Sequence, residues 1–186
     1  MTDPNFPGIG RVLFTEIALR QRVADLGREI SRDYAGLNPL VVGVLKGVVF
    51  FMSDLLRAIT VPVSVDYMAI SRYRPDTAAR GSVRLTKDLE EPVEGRHVLF
   101  VEDVIDTGLT LSYLLRNLRA REPLSLEVCA LFDKPPRRIA SIPLRYRGFD
   151  LPDRFVVGYG LDYKEAYRNL PYVAELTPGA LGLRNQ

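Results

Sequence analysis

Three carboxylates stand close together at Glu102, Asp103 and Asp106, and Thr107, Gly108, Leu109 and Thr110 follow at once. Acidic oxygens at that spacing suit the hydroxyls of a sugar or a hard metal ion. The hydroxyls and the glycine suit another task. They precede the helix-like run Leu111, Leu114, Leu115 and Leu118, and exposed amides at a helix start attract anions, so the four residues form a phosphate cup. Acidic side chains repel phosphate, so one loop could hold a sugar phosphate by both ends. The same residue types are also ordinary punctuation between a strand and a helix. The segment is not a Walker A loop, because no lysine follows the glycine, and it lacks the three spaced glycines of a dinucleotide-binding turn.

Several elements must position these groups. The apolar residues 98–101 lead directly into the acids, as expected of a strand central in a parallel sheet, whose carboxyl end is where ligands collect. Residues 40–45 read as a second buried strand, and Lys46 and Gly47 make a tight passage into the apolar segment 48–56, a predicted helix. Upstream, Leu19, Val23, Leu26 and Ile30 share one face of a helix starting near Thr15 and ended by Gly36 and Pro39. Val63, Val65, Tyr67 and Ala69 alternate with Ser64, Asp66 and Met68, which predicts a strand running out at Ser71. The polar stretch 72–81 then predicts an exposed, mobile tip before a strand resumes at 83–86, making a hairpin.

Further along, residues 126–132 read as a strand that delivers Asp133 and Lys134 to the same edge as Glu102 and Asp103, and Pro135 and Pro136 forbid a helix there. A turn at 150–153 precedes a last strand-like run at 155–159, followed by Asp162, Tyr163, Glu165 and Arg168. By residue type alone Lys46 is a loop cation, Phe155 is core and Asp162 is a turn residue.

The chain has 186 residues, 47% hydrophobic and 26% charged, enough for one globular domain over 1–186 with a sizeable core. Its 25 basic and 23 acidic residues leave a formal charge of +2, which predicts neither a nucleic-acid nor a membrane partner. The single cysteine, Cys129, lies in an apolar run and reads as a buried structural thiol, and the single histidine, His97, has no second ligand nearby and reads as structural. The longest apolar runs are too short to span a bilayer, and the first ten residues do not read as a secretion signal, so a cytoplasmic protein is expected.

The segment V-L-F-V-E-D-V-I-D-T-G-L-T-L at 98–111 resembles the phosphoribosyl pyrophosphate motif of type I phosphoribosyltransferases, in wording similar to the hypoxanthine-guanine branch. Three more segments resemble that family in its own order: V-L-K-G-V-V-F-F-M-S-D-L at 44–55, D-K-P-P-R-R at 133–138 and F-V-V-G-Y-G-L-D-Y at 155–163. The likeness runs from about residue 12 to residue 176. It implies an α/β fold: a mostly parallel twisted sheet flanked by helices, with a small hood built from the N- and C-terminal segments and a mobile hairpin lid. The activity it implies is transfer of a 5-phosphoribosyl group from phosphoribosyl pyrophosphate to hypoxanthine or guanine, with Mg²⁺, in a homodimer or homotetramer.

The resemblance also implies roles. Glu102 and Asp103 would hold the ribose hydroxyls directly or through Mg²⁺, and Asp106 would act as general base toward a purine ring nitrogen. Thr107, Gly108, Leu109 and Thr110 would cup the 5-phosphate. Lys46 and Gly47, joined to Leu45 by a cis peptide, would form the pyrophosphate loop, with Arg168 nearby. Lys134 would donate to the purine's exocyclic oxygen, Phe155 would stack on the base, Val156 would meet its edge through the backbone, and Asp162 would hold a second Mg²⁺. Ser71, Arg72 and Tyr73 align with the lid signature, but Arg72 stands where the family commonly has serine, so no serine contact carries over. The preference among hypoxanthine, guanine and xanthine is left open. Two other readings compete. A phosphoribosyl-pyrophosphate-binding regulator acting on nucleic acid would call for a basic surface or an added helix-turn-helix, and a flavodoxin-like module would leave Lys134 and Phe155 without a task.

Overall fold

A computed structural model describes residues 6–72 and 83–182. Strands β1 (Ile9–Phe14), β2 (Leu40–Leu45), β3 (Ser64–Arg72), β4 (Val83–Lys87), β5 (His97–Ile105), β6 (Ser125–Asp133), β7 (Leu144–Asp150), β8 (Val156–Val157) and β9 (Val173–Leu176) alternate with helices α1 (Glu16–Asp33), α2 (Val49–Ala58) and α3 (Leu109–Arg119). The large sheet has the order β4-β3-β2-β5-β6-β7, and every pairing in it is parallel except β3 with β4. This is the mostly parallel α/β architecture that the sequence predicts.

Period-two alternation in the central strands feeds two cores. Val41, Leu99, Val101, Cys129 and Leu131 face α1 and α2, while Leu40, Val42, Val98, Phe100, Val128 and Ala130 face α3. The four buried leucines of α3, Leu111, Leu114, Leu115 and Leu118, contribute roughly 1.5–3 kcal/mol each by leaving water. Thr15 caps α1 by accepting from Ala18 N–H at 3.3 Å.

Because α2 and α3 cover opposite faces, the connections after β2 and β5 leave in opposite directions. The crevice between two such strands is where open α/β sheets bind ligands. Lys46 and Gly47 follow β2, Asp106 follows β5 and Lys134 follows β6, so the chemistry-bearing residues share one edge.

A second, antiparallel sheet, β1-β9-β8, joins the two ends of the described chain. The strand expected at 155–159 is shorter than its composition suggests, covering only Val156 and Val157. Gly158 and Tyr159 take positive φ (101° and 50°) and turn the chain so that Gly158 bridges Leu161. The expectation that the prolines exclude helix at 135–136 is also corrected: Pro135–Arg137 is one turn of 3₁₀ helix. Its prolines occupy the first turn, where a missing N–H costs nothing.

One buried carboxylate ties down the base of the β3–β4 hairpin. Asp66 Oδ1 accepts from Tyr67 N–H at 2.7 Å and Lys87 Nζ at 3.3 Å, and Oδ2 accepts from the N–H groups of Glu90 and Glu91 at 2.6 and 2.9 Å. Burial raises its pKa, but those donors outweigh burial and hold the carboxyl below its ordinary value. Replacing Asp66 by alanine leaves buried amides unpaired and is expected to destabilise the fold by about 1–3 kcal/mol in urea unfolding at pH 7. Because the folded-state pKa is depressed, this contribution is fully present above the unfolded value of about 3.9 and is lost as pH falls through the lower folded value. The gap between wild type and variant should therefore narrow below about pH 4.

Candidate active site

At the carboxyl edge of the large sheet lies a cleft of about 380 Å³, lined from β5 and the turn after it (residues 102–108, Thr110 and Leu111), by Lys134, and by Phe155, Val156, Leu161, Asp162 and Arg168 of the segment around β8. It opens because β2 and β5 part company: their pairing ends at Gly43 and Val101, whereas β5 continues beside β6 to Ile105. Glu102 and Asp103 sit where β2 has turned away. They lie within the strand rather than beyond it, and Asp106 is the first residue after it.

Asp103 Oδ1 accepts from Val104 N–H at 2.7 Å. Burial pushes its carboxyl up to about 6, against the pull of the backbone amides and the Arg168 charge. Gly47 packs directly on this carboxylate, where any Cβ would collide with Asp103 Oδ2. The Leu45–Lys46 peptide is cis. Gly160, with φ at 99°, in turn packs on the Gly47 carbonyl, so the β8 segment is seated on the turn after β2.

Gly108 takes φ of 77° as the N-cap of α3 and accepts from Ser112 N–H at 2.8 Å. Only glycine adopts that backbone without strain. The loop of Thr107, Gly108, Leu109 and Thr110 thus turns the chain into a helix start facing the cleft, a ready anion seat. Leu109 itself is 54% exposed and does not line the cleft, so it would contribute through its backbone.

Asp106 lines the cleft and carries a partner that the sequence did not suggest: Arg137 Nε donates to its Oδ1 at 2.6 Å. The hydrogen bond to Asp106 chiefly, and that to Asp153, raise the Arg137 pKa above its ordinary value.

Across the cleft, Arg168 donates through NH2 to Asp162 Oδ1 at 2.8 Å and Glu165 Oε1 at 3.3 Å, and through NH1 to the Gly160 carbonyl at 2.8 Å. Lys46 Nζ donates to Glu165 Oε2 at 2.9 Å. Lys46, Arg168 and Asp162 are thereby linked through Glu165, whose carboxyl is held below its ordinary value first by Lys46. Lys46 and Gly47 border the cleft without lining it. Among the described residues no group of three or more His, Cys, Asp or Glu side chains is arranged to hold a metal ion.

On the remaining wall, Lys134 Nζ donates to the Arg154 carbonyl at 2.9 Å. Phe155 is 45% exposed, a high value for a residue that composition assigns to the core, and meets Tyr163 edge-on with centroids 5.5 Å apart. Val156 is buried beside it. Of the three residues expected in a lid, Ser71 pairs with Arg84 and the Arg72 backbone pairs with Val83, while Tyr73 lies outside the described residues.

This geometry can be set beside known proteins. Residues 14–164 match the family described as "Phosphoribosyl transferase domain". The chain belongs to the phosphoribosyltransferase family. It is similar to a hypoxanthine-guanine phosphoribosyltransferase of Mycobacterium avium, 50% identical over 93% of this chain and 89% of that protein. A protein of the same name from Bacillus subtilis is 46% identical over 91% and 94%. Among solved structures, a hypoxanthine phosphoribosyltransferase from Staphylococcus aureus superposes with a TM-score of 0.89 at 42% identity, over 96% of this chain and 97% of that one.

Within this phosphoribosyltransferase frame, two residues of the site escaped the sequence. Arg137 was visible only as part of D-K-P-P-R-R, and Glu165 only as a neighbour of Asp162. The bonds that bring them into the site, Arg137 to Asp106 and Glu165 to Lys46, join residues 31 and 119 positions apart and leave no local signal in the sequence.

Proposed function

We propose that this phosphoribosyltransferase serves purine salvage, moving the 5-phosphoribosyl group from phosphoribosyl pyrophosphate to hypoxanthine, guanine or both, with release of pyrophosphate. The observation that carries it is the convergence in one cleft of adjacent carboxylates, an anion seat at a helix start, a further carboxylate and a lysine. Relatives bearing that activity in their names, alike over nearly the whole chain, support the same substrates.

In this reading Glu102 and Asp103 accept hydrogen bonds from the ribose hydroxyls, and residues 107–110 fix the 5-phosphate through amides and hydroxyls. Charge develops on the ribose carbon and the departing pyrophosphate, so rate enhancement comes mainly from positioning and fixed electrostatics. Asp106 takes the proton from a purine ring nitrogen. Lys134 donates to the exocyclic oxygen, Phe155 lies against the base, and Val156 meets its edge. Lys46, Gly47 and Arg168 receive the pyrophosphate, which displaces Glu165 from the side chains of Lys46 and Arg168. The β1-β9-β8 sheet acts as the hood.

The oxygen-only donor set fits Mg²⁺, which is commonly bound by one or two carboxylates together with substrate phosphates rather than by a complete protein cage. Glu102 and Asp103 would hold one ion and Asp162 another. When bound, Mg²⁺ neutralises charge on the pyrophosphate.

A dimer or tetramer in the cytoplasm completes the proposal. Apolar Ile17, Val49 and Phe50, exposed on α1 and α2, offer surface for self-association, and no described helix is long and apolar enough to cross a membrane. Sedimentation would measure the state. The deciding experiment is pyrophosphate release from phosphoribosyl pyrophosphate and Mg²⁺ with hypoxanthine, guanine, xanthine and adenine in turn. Turnover with hypoxanthine or guanine and little with adenine is expected, and silence with every base would favour a regulator instead.

A further inference from the structure

We propose that Arg137 is a positioning residue for Asp106, gripping one carboxylate oxygen so that the other is presented to the purine. The role rests on the transferase reading of the cleft. Arg137 Nε donates to Asp106 Oδ1 at 2.6 Å, and Arg137 NH1 donates to Asp153 Oδ1 at 3.3 Å. An ion pair between half-exposed side chains is ordinarily worth little, since solvent screens it and ordering two long side chains costs entropy.

Here the backbone removes much of that competition. The Lys134 N–H donates to the Ile105 carbonyl at 3.0 Å, and the N–H groups of Ile139 and Ala140 donate to the Thr107 carbonyl at 2.9 and 3.0 Å. Those bonds fall on either side of Asp106 in one segment and on either side of Arg137 in the other. Between them the chain is a single 3₁₀ turn, Pro135–Arg137, whose two prolines fix φ. Arg138, next in line, is anchored by its ion pair with buried Asp133. The guanidinium is thus delivered to Asp106 by the fold, and Asp153 holds its far side.

A carboxylate free to rotate offers either oxygen in many directions. With Oδ1 engaged by a charge-assisted bond, Oδ2 is left to accept the ring proton, and general-base catalysis depends first on that geometry. In the step itself the ring N–H bond breaks and its proton passes to Oδ2, while the electron pair stays on the purine. The purine nitrogen bonds to the ribose carbon as the carbon–oxygen bond to pyrophosphate breaks. Arg137 touches neither substrate. It remains on Oδ1 throughout.

The test is steady-state pyrophosphate release with hypoxanthine for wild type, Arg137→Gln, Arg137→Lys, Asp153→Asn, Asp106→Asn and the double variant Asp106→Asn with Arg137→Gln. Arg137→Gln should lower kcat about five- to thirty-fold, with the KM for phosphoribosyl pyrophosphate within about twofold of wild type. Arg137→Lys should recover part of the loss, and Asp153→Asn should show a smaller loss confined to kcat. In the Asp106→Asn background, Arg137→Gln should cost nothing more, because the group it positions is gone. An Arg137→Gln kcat within about twofold of wild type, or raised, would overturn the role, as would an equal loss in the Asp106→Asn background. A wild-type protein inactive with every base overturns the transferase reading, and the role with it. An active wild type with an indifferent Arg137→Gln overturns the role alone.

Discussion

Asp106→Asn is expected to lower kcat by about 100- to 10,000-fold while leaving the KM for phosphoribosyl pyrophosphate close to wild type. The asparagine amide keeps the shape of the carboxylate and can still accept from Arg137, so the site around it should hold. What it loses is the ability to take a proton at the moment the purine nitrogen attacks. Glu102, Asp103 and the cup at 107–110 are separate groups on the same cleft, and they should go on binding the phosphoribosyl donor. A loss in kcat without a matching loss in donor KM is the mark of an interaction made mainly in the transition state. Near-normal turnover of Asp106→Asn would remove the general-base role. A rise in donor KM with kcat unchanged would move Asp106 to the phosphoribosyl side of the cleft.

Much of this site was legible because its residues are contiguous. The four apolar residues before Glu102, and the glycine between two threonines after Asp106, each report a local requirement: a buried strand and a left-handed turn into a helix. Both are present, with Gly108 at φ of 77°. What escaped is built from distant partners. Strand β1 pairs with β9 across some 160 residues, with Ile9 opposite Leu176, and neither strand is long enough to show a period of its own. Strand β7, L-R-Y-R-G-F-D, lies at a sheet edge and buries only Tyr146 fully, so charges occupy positions that a central strand would fill with aliphatic residues. Phe155 misled by type: an aromatic beside two valines looks like core, yet it stands half in solvent at the wall of the cleft. The Arg137–Asp106 and Lys46–Glu165 pairs form only when loops 31 and 119 residues apart in the chain meet at one sheet edge.

Lys134→Ala is expected to raise the KM for hypoxanthine and guanine by about 10- to 100-fold, with the donor KM little changed. An ammonium has three donors and no acceptor. One donor is committed to the Arg154 carbonyl at 2.9 Å, which holds the side chain across the wall of the cleft and leaves the others for a base. A carbonyl oxygen can accept from them, and an exocyclic amino group cannot, so the same lysine should attract 6-oxopurines and reject adenine. A hydrogen bond to a charged donor contributes about 1.5–3 kcal/mol, and that sets the size of the KM change. Removing the ammonium should therefore act twice. Affinity for the 6-oxo bases falls, and the penalty that adenine pays for facing an unmatched donor disappears, so the ratio of kcat/KM for hypoxanthine to that for adenine should contract by more than the adenine value itself changes. Unchanged KM values for hypoxanthine and guanine would sink the carbonyl contact. An unchanged hypoxanthine-to-adenine ratio would place the selection elsewhere on the wall, at the backbone beside Val156.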